Sequence, residues 1–476
     1  MPAPSYSGVL WRAVPFLFAL LIAVSAQAQP LPEAFQFGYE KRPRTVSGEP
    51  AWDLERLSPN ERPLAIQLQK LGVQCEFTSE TDPRTGRPVR VGSIVPDTIT
   101  GVLVYSRTRF TRGDLRLLTK LPNLTTVEVS GIPLRGRDLK VLRGCPRLAR
   151  LTLNCDTASG VGQKPNPQTD EDLQMIGTLR NLTSLDLRMI DGVTDEGVRG
   201  MLENLTKLTH LSISTREPNL RIFHAIPEME SLKRLKAGFR DEDPKRFREL
   251  PRLKNLEGLS MRGYRTVPLG SEAEWLTKLP KLRHLTVYGD LIDDQAFQHV
   301  AAIPSLQVLE IEANQLKLAQ GWWYLQQARQ LKALFVEGCA LTDINCSDIA
   351  GIRSLEHLAL EDTPVTDRGV EHLTHHEGIT TLGLQRMRIT DASMQRIGEN
   401  MRQIQRLNVS NTPITEDGIR AISRLPNLEF LDVKETALSD SCIPTVMAMP
   451  KLKSFVPPLR MSQQGRDQLF KKYNTW

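Results

Sequence analysis

Five carboxylates crowd into three consecutive stretches of similar wording: Glu310 and Glu312 in Leu309-Glu-Ile-Glu312, Glu337 in Leu334-Phe-Val-Glu337, and Glu361 with Asp362 in Leu358-Ala-Leu-Glu-Asp362. Each lies between or beside alternating apolar residues, the period-two spacing that puts a side chain on the open face of a half-buried strand. Arg150, Arg188, Arg234, Lys236 and Arg262 take comparable places in earlier stretches, and Tyr288 joins them. Oxygen ligands gathered in this way can hold a cation, but no tight ligand loop accompanies them. The chemistry they point to instead is charge complementarity: a surface with a basic and an acidic part that steers and orients a partner. The plainer alternative is that exposed strand positions are simply polar.

Other reactive groups argue against a reaction centre. His210, His284 and His357 share one strand phase but stand three strands apart, roughly 14 Å between neighbours, too far to ligate one metal together. His372, His375 and His376 are close in sequence, yet no matching Cys or carboxylate spacing accompanies them, so they read as surface residues. No Gly-rich phosphate loop, nucleophile elbow or His-Glu-x-x-His motif occurs, so neither catalysis nor a cofactor is expected. Cys75, Cys145, Cys155, Cys339, Cys346 and Cys442 are scattered as buried thiols would be; Cys339 and Cys346 are the nearest pair. Asn-x-Ser/Thr triplets begin at Asn123, Asn181, Asn204, Asn345 and Asn408, mostly at fixed phases of a repeat.

That repeat must position everything above. Its clearest copies are Leu182-Thr-Ser-Leu185-Asp-Leu187, Leu282-Arg-His-Leu285-Thr-Val287, Leu355-Glu-His-Leu358-Ala-Leu360 and Leu428-Glu-Phe-Leu431-Asp-Val433. The middle apolar residue recurs at 127, 151, 185, 211, 235, 259, 285, 309, 334, 358, 382, 407, 431 and 455, in steps of 24 to 26 apart from one of 34. Val102 extends the series upstream, to about fifteen turns. After each strand comes a second theme, as in Val193-Thr194-Asp195-Glu196-Gly197-Val198, Val365-Thr366-Asp367-Arg368-Gly369-Val370, Ile389-Thr390-Asp391 and Ile414-Thr415-Glu416-Asp417-Gly418-Ile419. Thr caps helix N-termini well, and acidic residues in the first turn suit the helix dipole. A turn is therefore strand, bend, capped helix and return, and turns must stack to bury their leucines.

Over residues 99–456 the chain resembles the leucine-rich-repeat superfamily. Cys145-Pro-Arg-Leu148-Ala-Arg-Leu151-Thr-Leu153-Asn-Cys155 and the Thr-Asp-x-Gly theme resemble its cysteine-containing and ribonuclease-inhibitor-like subclasses. The Asn expected shortly after the strand appears only as Asn411 and Asn314, with Gly, Asp, Thr or Cys in other turns. The resemblance implies an α/β fold, a right-handed horseshoe solenoid with a parallel concave sheet and convex helices, and it implies protein or peptide binding. Tyr288, Phe335, Phe430 and Phe239 are the concave-face aromatics, too few for a sugar-binding ladder. An envelope-associated structural spacer, or one that binds polysaccharide, is the alternative function.

The flanks read differently. Arg12, the apolar run Ala13–Val24 and Ala26-Gln27-Ala28 form a signal-peptide pattern over 1–28, with cleavage expected after Ala28 and secretion or periplasmic export as its consequence. No later stretch is apolar enough to span a bilayer. Residues 29–55 read as a linker, 56–98 as a helix and hairpin cap (helix Arg62–Leu71, strands Val73–Phe77 and Val89–Val95), and 457–476 as a helical cap on the last turn. Asp156–Gln168, inside the long step, reads as a projecting loop, and Gly321-Trp322-Trp323-Tyr324 as a helix packed between its neighbours. With 61 basic against 55 acidic residues and no basic run, nucleic acid is not an expected partner.

Overall fold

The computed structural model describes residues 57–79, 97–105, 108–132, 134–154, 168–188, 190–215, 222–239, 244–263, 268–289, 291–313 and 321–473. The expected signal peptide, linker, Val89–Val95 strand, Asn314, Cys155 and nearly all of the Asp156–Gln168 loop lie outside them. The chain divides into two units, 43–305 and a second that holds 306–476.

The first unit contains strands β1 Gln74–Ser79, β2 Asp97–Val104, β3 Thr126–Ser130, β4 Arg150–Asn154, β5 Ser184–Arg188, β6 His210–Ser214, β7 Arg234–Phe239, β8 Gly258–Gly263 and β9 His284–Tyr288. From β2 onward each pairs in parallel with the next. Leu185, Leu211, Leu235, Leu259 and Leu285 stand in register and are buried, so they form one apolar column. Each such side chain contributes about 1.5–3 kcal/mol on burial. The helix Arg62–Lys70 precedes β1, and buried Glu61 accepts hydrogen bonds from the Thr98 hydroxyl and the Ile99 amide at 2.8 and 2.9 Å. The antiparallel partner of β1 is β2, the first strand of the repeat itself, while the Val89–Val95 strand of the expected hairpin lies outside the described residues. Phe239, read above as a surface aromatic, is buried against Phe223 and Phe247, because as the sixth residue of β7 it shares the inward phase of Leu235 and Ala237.

The second unit repeats the pattern in β10 Val308–Glu312, β11 Ala333–Glu337, β12 His357–Glu361, β13 Thr381–Gly383, β14 Arg406–Asn408, β15 Phe430–Asp432 and β16 Ser454–Val456, all parallel and in chain order. Its apolar column runs Leu309, Leu334, Leu358, Leu382, Leu407, Leu431 and Phe455. At the end, the helix Gln463–Phe470 buries Leu469, and the Tyr473 hydroxyl donates to the Val446 carbonyl at 2.8 Å. Trp322 packs inside as expected, whereas its neighbour Trp323 is 52% exposed and meets Tyr324 edge-on, so the aromatic turn is only half core.

Two features of the repeat emerge that do more than cap helices. In several turns the Asp that follows the capping residue accepts from the next turn: Asp343 from the Thr366 amide and hydroxyl, both at 2.7 Å, and Asp367 from those of Thr390, both at 2.8 Å. Asp170 with Thr194 and Asp440 with Ser462 make the same rung. The Gly of the Thr-Asp-x-Gly theme leaves room for it, since a Cβ on Gly369 would lie 2.7 Å from Asp343 Oδ1. Next, the residue four places after the middle apolar residue of the strand bends the chain through the left-handed region in Gly131, Gly289, Gly338, Asp362, Arg386, Asn411 and Glu435. Gly and Asn adopt it cheaply, which accounts for the composition of this position; Arg386 and Glu435 adopt it at a cost of about 1 kcal/mol or more.

Candidate functional site

A five-residue strand buries its second and fourth side chains and turns the first, third and fifth outward. In the first unit this places Arg150 and Arg234 at the start of their strands, Lys236 in the middle, and Arg188, Arg262 and Tyr288 at the ends. They do not form one continuous row. Arg188 is held by Asp186 on its own strand, Nη2 to Oδ2 at 2.6 Å, Arg150 Nε donates to Thr126 Oγ1 at 3.1 Å, and the Arg262 guanidinium sits 4.0 Å above the Tyr288 ring. Much of the basic character read from the sequence is therefore engaged within the protein.

In the second unit the acidic residues do align. Glu312, Glu337 and Glu361 end β10, β11 and β12 and face one another in register, with Glu310 in the middle of β10 and Asp362 in the left-handed turn after β12. Like charges opposite one another on adjacent strands are destabilising, and the structure supplies a counter-ion that the sequence reading missed. Arg386, from its left-handed position, brings Nη2 to 2.7 Å from Glu337 Oε1 and 2.8 Å from Glu361 Oε1. Gln385 Nε2 adds a bond to Glu361 Oε2 at 2.8 Å. The signal was present: Arg386 occupies the repeat phase of Asp362, one turn later. Burial, then the charges of Glu361 and Glu312, push the Glu337 carboxyl up to about 7 against the pull of Arg386. Burial raises Glu361 as well, opposed by Arg386 and Gln385.

Beside this row lies an apolar cluster separate from the leucine column: Ala359, Phe430 and Val456 are buried and Phe335 packs against them. The Arg406 guanidinium lies 4.6 Å over the Phe430 ring, its Nε and Nη2 buried without a hydrogen-bond partner, and desolvation lowers it to about 10. Burial lowers His357 to about 4 and raises Asp432 to about 6; the Asp432 carboxylate accepts from the Lys434 amide at 2.9 Å.

One expectation changes here. His376 is not a surface residue: it is buried, its Nε2 lies 2.9 Å from the Ile352 carbonyl and its Nδ1 accepts from the Gly378 and Ile379 amides, so the ring ties one turn to the next. Cys339 and Cys346 are buried and are not bridged to each other, as the scatter of cysteines suggested. The Asn-x-Ser/Thr residues serve the repeat: Asn181 donates to the Pro146 carbonyl at 3.2 Å and accepts from Lys207 at 2.9 Å, and Asn408 is buried in β14. Among the described residues, no group of three or more His, Cys, Asp or Glu is placed to hold a metal ion, and no helix is long and apolar enough to cross a membrane.

No family model matches the chain. A stretch of 203 residues, 42% of the chain, is 25% identical to the CD180 antigen of Mus musculus and spans 27% of that protein's length. Among solved structures, an internalin from Listeria monocytogenes matches 71% of this chain and 90% of its own at 19% identity and a TM-score of 0.42. A leucine-rich-repeat protein of Leptospira interrogans matches 76% and 86% at 15% identity and a TM-score of 0.42. The leucine columns, the Thr-Asp rungs and the left-handed turn that recurs at one phase give the chain the α/β fold of a leucine-rich-repeat solenoid.

Proposed function

We propose that this protein is an exported, non-catalytic scaffold that binds a protein or peptide on the outward side of its strands. The observation that carries this reading is the in-register row Glu312, Glu337 and Glu361, an arrangement that the leucine core does not require and that costs stability. A purely structural spacer needs no facing carboxylates, whereas a surface that orients a charged partner uses them. Export rests on the pattern of residues 1–28 and places the protein in the extracellular or periplasmic space. The basic residues Arg150, Arg234 and Lys236 form a second candidate contact region in the first unit.

The test is affinity capture from the native extracellular or periplasmic fraction, comparing wild type with a variant carrying Glu310→Gln, Glu312→Gln, Glu337→Gln and Glu361→Gln. A partner retained by wild type and lost by the folded variant supports the acidic row as the contact surface. Equal recovery by both proteins, or none by either, overturns it.

A further inference from the structure

We infer that the outward face of β11 to β15 takes an extended segment of a partner protein bearing, in order, a basic, an apolar and an acidic side chain. The inference rests on the scaffold reading above and adds the chemistry of the ligand. It stands on the order of groups across the face. Along β11 the outward side chains pass from Phe335 to Glu337, and along β12 from Ala359 to Glu361, so one end of the strands is acidic and the middle apolar. On β14 the outward residue at the opposite end is Arg406.

The two ends lack opposite things. At the acidic end Glu312, Glu337 and Glu361 face one another, and the Arg386 guanidinium bonds the latter two. The carboxamide of Gln385, itself 5% exposed, lies against Glu361 with its Oε1 buried and without a donor. Arg386 demonstrates that a guanidinium fits against these carboxylates. At the other end Arg406 has two buried nitrogens without an acceptor, and a desolvated donor left unpaired is costly. Between them Phe335, in the middle of β11, is the partly exposed member of the apolar cluster whose buried members are Ala359, Phe430 and Val456, with Phe430 level with Arg406. A ligand that bridges both ends satisfies all three regions at once.

Geometry sets the spacing. The ends of a five-residue strand are roughly 13 Å apart, and β12 and β14 are two strands apart, roughly 10 Å. The ligand crosses diagonally, with its basic and acidic side chains four to six extended residues apart and the apolar one between them.

Selection of random dodecapeptides displayed against the full chain tests this, followed by titration of a synthetic enriched peptide by fluorescence anisotropy. The expected result is enrichment of Arg or Lys spaced in that way from Asp or Glu, with an apolar residue between. Affinity is expected to fall about tenfold or more with Glu337→Gln, with Arg406→Met, and with exchange of the peptide's basic residue for Glu. Exchange of the peptide's acidic residue for Gln probes the Arg406 contact without touching the fold. Enrichment of another composition, no enrichment, or binding indifferent to Glu337 and Arg406 overturns the inference. In the last case the scaffold reading survives, with its contact surface elsewhere.

Discussion

Arg386 Nη2 lies 2.7 Å from Glu337 Oε1 although 49 residues separate the two in the chain. The contact spans two turns and depends on the positive φ of Arg386, which aims its side chain back across the ends of β11 and β12. Replacement by Ala keeps the backbone cost and removes the counter-ion from Glu337 and Glu361. Because both partners are partly exposed, the expected loss is about 1–2 kcal/mol in urea unfolding. A change within error would show that the row needs no counter-ion.

The raised Glu337 carboxyl gives a pH signature. A carboxyl held at about 7 in the folded protein, against an ordinary value of 4.5, binds its proton more tightly when folded. Its contribution is therefore full below 4.5 and declines as pH rises towards about 7. Asp432, raised to about 6, acts in the same direction, so the informative quantity is the difference between wild type and Glu337→Gln. Glu337→Gln is expected to gain stability relative to wild type across that window and to run parallel above it. Parallel curves from pH 4 to 8 would remove the assignment.

The rung made by Asp367 joins two turns through the Thr390 amide and hydroxyl and also reaches Ser393. These bonds, Ser393's first among them, hold the Asp367 carboxyl below its ordinary value, against the effect of burial. Stability from this group is present above the unfolded value and lost as pH falls through the folded one. Asp367→Ala is expected to cost about 2–3 kcal/mol and Asp367→Asn less, since one acceptor remains. Equal costs for the two, measured by denaturant midpoint, would mean that packing rather than acceptance matters.

Glu435 adopts φ +60 in the left-handed turn and is exposed. Glu435→Gly relieves steric cost at a place where the side chain is not packed, and is expected to raise stability by up to about 1 kcal/mol; Glu435→Val is expected to lower it by a similar amount. A destabilised Gly variant would indicate that unfolded-state entropy outweighs the strain.

The repeat was legible because a solenoid writes its geometry into local spacing. Leu358 and Leu382 are 24 residues apart and adjacent in register because each turn has to return its leucine to the same column. The capping Thr residues and the outward phase of Glu312, Glu337 and Glu361 follow from the same periodicity. What happens between turns could not be read there. The Asp rungs, the burial of His376 beneath Ile352, the loss of Phe239 to the core and the closure of Arg386 on Glu337 depend on which neighbour the stacking brings alongside. A one-dimensional period determines the phase of a side chain along its own strand; only the lateral packing of turns, with a left-handed residue redirecting the chain, decides what that side chain meets.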